Sequence, residues 1–249
     1  MVNFNSRLKD TRLHKFLLIG LFFSLVASCS GEKIDNGQVF RMPISNEPPT
    51  LDWSLATDSV SFDILTNIME GLTQYDSNME PVPAIAKRWE ISKNGKMITY
   101  YLRDDVFWTD GQPVTAHDFE YSWKRLLNPA TAAQYAYFLF DVENAQEFNS
   151  GKISDPSKVG VSAKTDHILE VRLKKPVVYF PSITTFMVTF PQRKDIVEKF
   201  GDHWTDPENI VTNGPFKLSA WEHEYKLILT ANENFYEGRP PLDTILAYV

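Results

Sequence analysis

The residues from Ala86 to Leu127 constrain the fold more than any others. Trp89 and Ile91 alternate with polar residues before Lys93-Asn94-Gly95-Lys96, and Asn-Gly readily takes the positive φ of a tight hairpin. Ile98, Tyr100 and Leu102 then alternate in the opposite sense, as a half-buried return strand does. Asp110-Gly111 makes a second turn. Thr115 stands at an N-cap position with Asp118 three residues on, a carboxylate variant of the capping box. Phe119, Trp123, Leu126 and Leu127 follow at i, i+4, i+7 and i+8, the apolar stripe of a helix. Asn128-Pro129 ends that helix, because the residue before proline is pushed out of αR.

At the other extreme of pattern lies the N-terminus. Arg7, Lys9, Arg12 and Lys15 precede an apolar run from Phe16 to Ala27. A bilayer-spanning helix needs about 20 residues, so this run is too short. Basic flank, short apolar core and small residues at its end make residues 1–28 a secretory signal. Val26-Ala27-Ser28-Cys29 resembles a lipoprotein processing site, in which Cys29 would carry the lipid and become the new N-terminus. Cys29 is the single cysteine of the chain, so no internal disulfide forms in a compartment that would permit one.

Loss of residues 1–28 removes four basic residues and Asp10, moving the net charge from −7 to −10. With no basic stripe to neutralise phosphates, nucleic acid is excluded as a partner. The 43% hydrophobic and 13% aromatic content supports a packed core. Polar Ser30 to Gln38 reads as a tether, and Val39 to Met42 as a strand. Ser45 to Asp52 is a proline-stiffened corner, followed by the short polar run Thr57-Asp58-Ser59. Phe62, Leu65, Ile68, Met69 and Leu72 then repeat at helical spacing. Ala132 to Phe148 reads as an aromatic helix. Val159 to Val161 and Leu169 to Leu173 read as strands around Lys164-Thr165-Asp166, and Phe216 to Leu218 pairs with Lys226 to Thr230 in a last hairpin. Ile245 to Val249 reads as a strand with an unpaired apolar edge, a surface that favours self-association.

No enzymatic constellation is present. His14 belongs to the leader, and His117, His167, His203 and His223 are scattered. His117-Asp118-Phe119-Glu120 lacks the second histidine of a zinc helix, and no P-loop, dinucleotide or serine-elbow fingerprint occurs. No metal and no cofactor is expected, and Asp104-Asp105 reads as a solvated strand end. Trp108 and Trp123 read as core residues. Tyr135 also reads as a core aromatic on composition alone.

The run LRDDVFW followed by TDGQPVTAHDFEYSW resembles the signature of the family 5 extracytoplasmic solute-binding proteins. These are the oligopeptide-, dipeptide- and nickel-binding receptors of ATP-driven importers. The corner Glu47 to Asp52 is similar to the family's E-x-x-x-L-D-P entry, with Trp53 in the proline position. Glu70-Gly71-Leu72, VEKFGDHW at Val197–Trp204, NIVTNGPFKL at Asn209–Leu218 and NENFYEGRPPLDTI also resemble family segments, chiefly those of the oligopeptide branch.

The resemblance implies an α/β fold of the periplasmic-binding-protein type (type II, peptide-receptor branch) with mixed sheets. Residues 29–70 and 192–249 would form an incomplete first lobe meeting in one sheet. Residues 71–191 would form an inserted α/β domain, with the second lobe absent from a fragment or truncated product. It further implies an exported lipoprotein of the cell envelope, anchored at Cys29, that captures oligopeptides and passes them to the importer's membrane subunits. Dipeptide or nickel as solute, or an adhesion or scaffold role, remain alternatives. Thr57, Asp58 and Ser59 occupy the segment whose backbone pairs with the peptide, and Tyr135 matches a tyrosine that faces it. The family has Glu-Gly-Val at the first three, so only a main-chain role carries over. With the facing lobe missing, peptide affinity is expected to fall beyond the millimolar range. Asn213-Gly214 is expected at the crossing between lobe and domain, where glycine would permit an unusual backbone angle.

Overall fold

Two four-stranded sheets carry the chain, and they are built differently. The computed structural model describes residues 37–249, so the leader and Cys29 lie outside the described residues. In the first sheet β1 (Val39–Pro43) runs parallel to β10 (Thr244–Tyr248), while β9 (Lys226–Ala231) and β8 (Phe216–Glu222) continue it antiparallel in the order β1-β10-β9-β8. Leu227 and Leu229 of β9 and Ile245 and Ala247 of β10 alternate inward. The helix α1 (Ser59–Ile68) rests against β8. A small hairpin joins β2 (Thr73–Tyr75) to β3 (Pro81–Pro83).

The second sheet is wholly antiparallel, in the order β4-β5-β7-β6. The hairpin expected from sequence is β4 (Ala86–Ile91) and β5 (Met97–Leu102), with Gly95 at φ 68° in its turn. β7 (Ile168–Arg172) pairs with the other edge of β5 and carries β6 (Val161–Thr165). Across β6 and β7 lies α2 (Ala116–Leu127). Its Phe119, Trp123, Leu126 and Leu127 are fully buried, as are Ile98 and Tyr100 of β5. Each such side chain contributes about 1.5–3 kcal/mol by leaving water. The Asp118 carboxylate takes the Thr115 N–H at 2.8 Å and the Thr115 hydroxyl at 3.0 Å, fixing the start of the helix. Burial holds the Asp118 pKa above the usual carboxylate range despite those two donors and the Trp108 indole.

Three expectations are corrected. β10 is an interior strand, because β1 returns alongside it and covers the edge expected to stay open. Ala132 to Phe148 is not one helix: Ala132 and Asn144 adopt left-handed backbone at φ 52° and 60°. The segment breaks into a 3₁₀ turn at Ala136–Leu139 and a short helix at Ala145–Asn149. Asn144 is held there by its amide donating to the Lys158 carbonyl at 2.8 Å. Finally, α1 stops at Ile68, and Met69 is already extended. Leu72, expected on the helical stripe, is buried from the extended segment beyond it.

Candidate functional site

The polar run Thr57-Asp58-Ser59 is the entry to α1. Asp58 is its N-cap: one carboxylate oxygen accepts the Ser61 N–H at 2.9 Å, the other the Ser61 hydroxyl at 2.7 Å. That satisfies one of the orphan donors at a helix start, and it occupies both oxygens of the side chain. Among the described residues, no acceptor takes the main-chain N–H of Thr57, Asp58 or Ser59. What this segment can offer a ligand is therefore backbone.

Tyr135, far away in sequence, is brought to the same place. Its hydroxyl donates to the Thr57 carbonyl at 3.3 Å, and its ring is half-buried. With the proton committed to Thr57, the phenol oxygen keeps acceptor capacity for a further partner. Around it stand Phe62, Tyr137, Phe138 and Phe186, with ring centroids 5.7–6.2 Å from that of Tyr135. Thus all four residues singled out from sequence within the described chain come together.

The corner before them is fixed by contacts the sequence reading missed. Asp52 is buried and takes both Arg125 Nη atoms, at 2.9 and 2.6 Å, the Ser54 N–H at 3.0 Å and the Trp204 indole at 3.2 Å. Gln192 joins the group through Ser54 Oγ at 3.1 Å. The Asp52 carbonyl accepts the N–H groups of Leu55 and Ala56, both at 2.8 Å, so the turn into Thr57 is rigid. Trp53 is fully buried, edge-on to Trp204 at 4.7 Å. The signal available was Leu51-Asp52 itself, noted only as a motif. Glu47 ties the start of the corner to the β8–β9 turn, accepting from the Trp221 indole at 2.7 Å and the Glu224 N–H at 3.0 Å.

At the far end of α1 two chain segments cross. The Asn213 side chain accepts the Glu70 N–H at 2.9 Å and donates to the Glu70 carbonyl at 3.3 Å, while the Gly214 N–H donates to Ile68 O at 2.9 Å. The expected reason for glycine is corrected here. Gly214 is not among the positive-φ residues; a Cβ on it would lie 2.5 Å from the Ile68 carbonyl carbon. Close approach, not an unusual angle, requires it. Burial pushes the Glu70 carboxyl up to about 7, partly offset by the Tyr236 phenol donating at 2.8 Å; Glu237 raises it further and Arg103 lowers it.

The histidines lie at the surface. His117, His203 and His223 each stand beside a carboxylate, respectively Asp166, Asp206 and Glu47. Asp105 is held by Arg103 at 2.9 Å rather than paired with Asp104. A groove of about 750 Å³ between Tyr121, Lys124, Asn128, Phe148 and Lys194 shares no lining residue with the Thr57 segment. Its cations are already matched: Lys124 by Glu120, Arg125 by Asp52 and Lys194 by Glu198.

Residues 80–249 match the family model of the bacterial extracellular solute-binding proteins, family 5 (middle region). The chain belongs to that family. It is 36% identical over 233 residues to the dipeptide-binding protein DppE of Bacillus subtilis, covering 89% of this chain and 42% of that one. With the oligopeptide-binding protein OppA of the same organism it shares 38% identity over 229 residues, 87% of this chain and 42% of the relative. The substrate-binding domain of an oligopeptide ABC transporter from Bacillus anthracis superposes with a TM-score of 0.81 at 37% identity, over 86% of this chain and 42% of that structure. This family 5 chain therefore spans less than half the length of the relatives it matches. Its mixed α/β fold is that of the periplasmic peptide-binding proteins.

Proposed function

We propose that this family 5 protein is an extracytoplasmic receptor that captures peptides and delivers them to an ABC importer, and that Thr57–Ser59 forms one wall of its site. The observation that carries the reading is the Asp58 cap. With its carboxylate occupied and the adjoining N–H groups unclaimed, the segment offers hydrogen bonds that any extended peptide can meet, whatever its side chains. Tyr135, oriented by Thr57, lines the same wall. Relatives described as oligopeptide- and dipeptide-binding support the solute class; a dipeptide is the second reading, favoured by the likeness to DppE.

The division into a lobe of residues 29–70 and 192–249 and an inserted domain of residues 71–191 belongs to the same proposal. The parallel pairing of β1 with β10, apart from the β4–β7 sheet, supports it. Cys29 is proposed as the lipidated anchor that keeps the receptor at the membrane. Mass spectrometry of the membrane fraction should then show an acylated peptide beginning at Cys29, and an unmodified soluble terminus elsewhere would remove that part.

The peptide reading is tested by titrating a short peptide and its backbone N-methylated form, with binding followed by saturation-transfer NMR. N-Methylation deletes main-chain donors but keeps every side chain. Loss of binding on methylation is expected; equal binding of both forms would set the reading aside.

A further inference from the structure

We propose that Tyr137, seated on Phe138 beside Tyr135, is a specificity-determining residue that selects peptides bearing an aromatic side chain next to the stretch paired with Thr57–Ser59. This rests on the peptide reading above and adds the side chain to it. Tyr137 is 54% exposed, although its surroundings are aromatic. One face stacks on Phe138, with centroids 4.8 Å apart and planes 25° from parallel, and its ring is edge-on to Tyr135 at 5.9 Å and 89°. Phe138 is in turn 4.8 Å from Phe186, which stands edge-on to Phe62 of α1 at 5.5 Å. The ring is thus braced by a chain of rings reaching back to the helix that follows the binding wall. A braced ring loses little freedom when a ligand meets it.

Position and polarity both point to an aromatic visitor. A peptide strand lies about 4.8 Å from the backbone it pairs with and holds its side chains perpendicular to that plane. The Tyr135–Thr57 hydrogen bond sets the ring cluster directly beside that backbone. Among the described residues the cations stacked on rings belong to other places: Arg88 on Tyr101, Arg103 on Tyr236, Arg125 on Trp204, Lys199 on Phe200 and Lys226 on Tyr225. The Tyr137 hydroxyl has no hydrogen-bond partner in the described chain. A charged ligand side chain would leave water here without a matching charge. A ring would cover apolar surface and gain edge or offset contacts.

The experiment compares Ala-Phe-Ala, Ala-Lys-Ala and Ala-Ala-Ala on the 249-residue chain, with affinities from saturation-transfer NMR. The phenylalanine peptide should bind about tenfold tighter than the alanine peptide, as one aromatic contact plus its buried area allows. Tyr137→Ser should bring that ratio to within about twofold, and Tyr137→Phe should retain it, since the ring and not the hydroxyl acts. Equal affinities in the natural chain, a preference for the lysine peptide, or a ratio that survives Tyr137→Ser would each overturn the proposal while leaving peptide capture standing. Failure of all three peptides to bind would remove the peptide reading and this inference with it.

Discussion

Helix α2 rests on its sheet through Phe119, Trp123, Leu126 and Leu127, whereas the corner from Asp52 to Ser59 is held by polar groups drawn from Arg125, Gln192 and Trp204. The first region is a scaffold whose contacts repeat at the helical period within a few turns of chain. The second is the proposed ligand wall, and its partners come from three distant segments. Stability in the scaffold is spread over many apolar contacts. At the wall it is concentrated in one buried carboxylate, and this difference makes the two regions respond differently to substitution.

The largest effects should come from the centre of each region. Trp123→Ala should destabilise the chain by about 3–5 kcal/mol and leave the Thr189 carbonyl without its indole donor at 2.7 Å. Asp52→Ala should cost a similar amount, about 3–5 kcal/mol, because the Arg125 guanidinium stays half-enclosed without its partner. The regions part at the next step. Adding Arg125→Leu to Asp52→Ala should recover part of the loss, since it removes the uncompensated charge. Urea denaturation measures all three, and a double variant no better than Asp52→Ala would show that the corner depends on packing as the scaffold does.

These two regions also mark what was legible in the sequence. The β4–β5 hairpin, the turn at Gly95 and α2 followed from residues adjacent in the chain, because alternation, Asn-Gly and the capping carboxylate act locally. The aromatic segment after Pro129 misled, since its rings suited a helix while Ala132 and Asn144 take left-handed backbone under contacts from elsewhere. Asp52 looked like part of a motif, and nothing nearby in sequence announced that Arg125 and Trp204 would converge on it. The meeting of Tyr135 with Thr57 followed from family likeness alone; no spacing rule links positions so far apart. Gly214 was expected for its freedom and is needed for its lack of a side chain.

The chain crossing gives a smaller effect with a definite pH window. Glu70 in the unfolded chain titrates at its ordinary value of 4.5, but in the folded protein burial lifts it to about 7. Between those values the folded state holds a proton that the unfolded state has released. The stability contributed by Glu70 is complete below pH 4.5 and is lost as pH rises through about 7. The shift corresponds to roughly 3 kcal/mol. Glu70→Gln keeps an acceptor for Tyr236 without the charge, so its advantage over the natural chain should grow from pH 5 to pH 8. Parallel stability profiles for the two would count against a buried carboxyl at the crossing.

Smaller again is the cap of the wall. Asp58→Ala removes the acceptor of both Ser61 groups and should lower stability by about 1 kcal/mol, the usual scale for an N-cap. Thermal unfolding measures it, and a loss matching that of Asp52→Ala would mean that the wall carries more of the fold than its contacts suggest.

The central claim is that the backbone of Thr57, Asp58 and Ser59 meets the ligand. It is tested most directly by following the amide resonances of an isotope-labelled chain during titration with a short extended peptide. The amides of these three residues should move most, with the Tyr135 ring protons moving alongside them. Replacing Thr57 and Ser59 by alanine should leave the pattern in place, since no side chain is required. Perturbations confined to the groove between Tyr121 and Lys194, with the Thr57–Ser59 amides unmoved, would contradict the account.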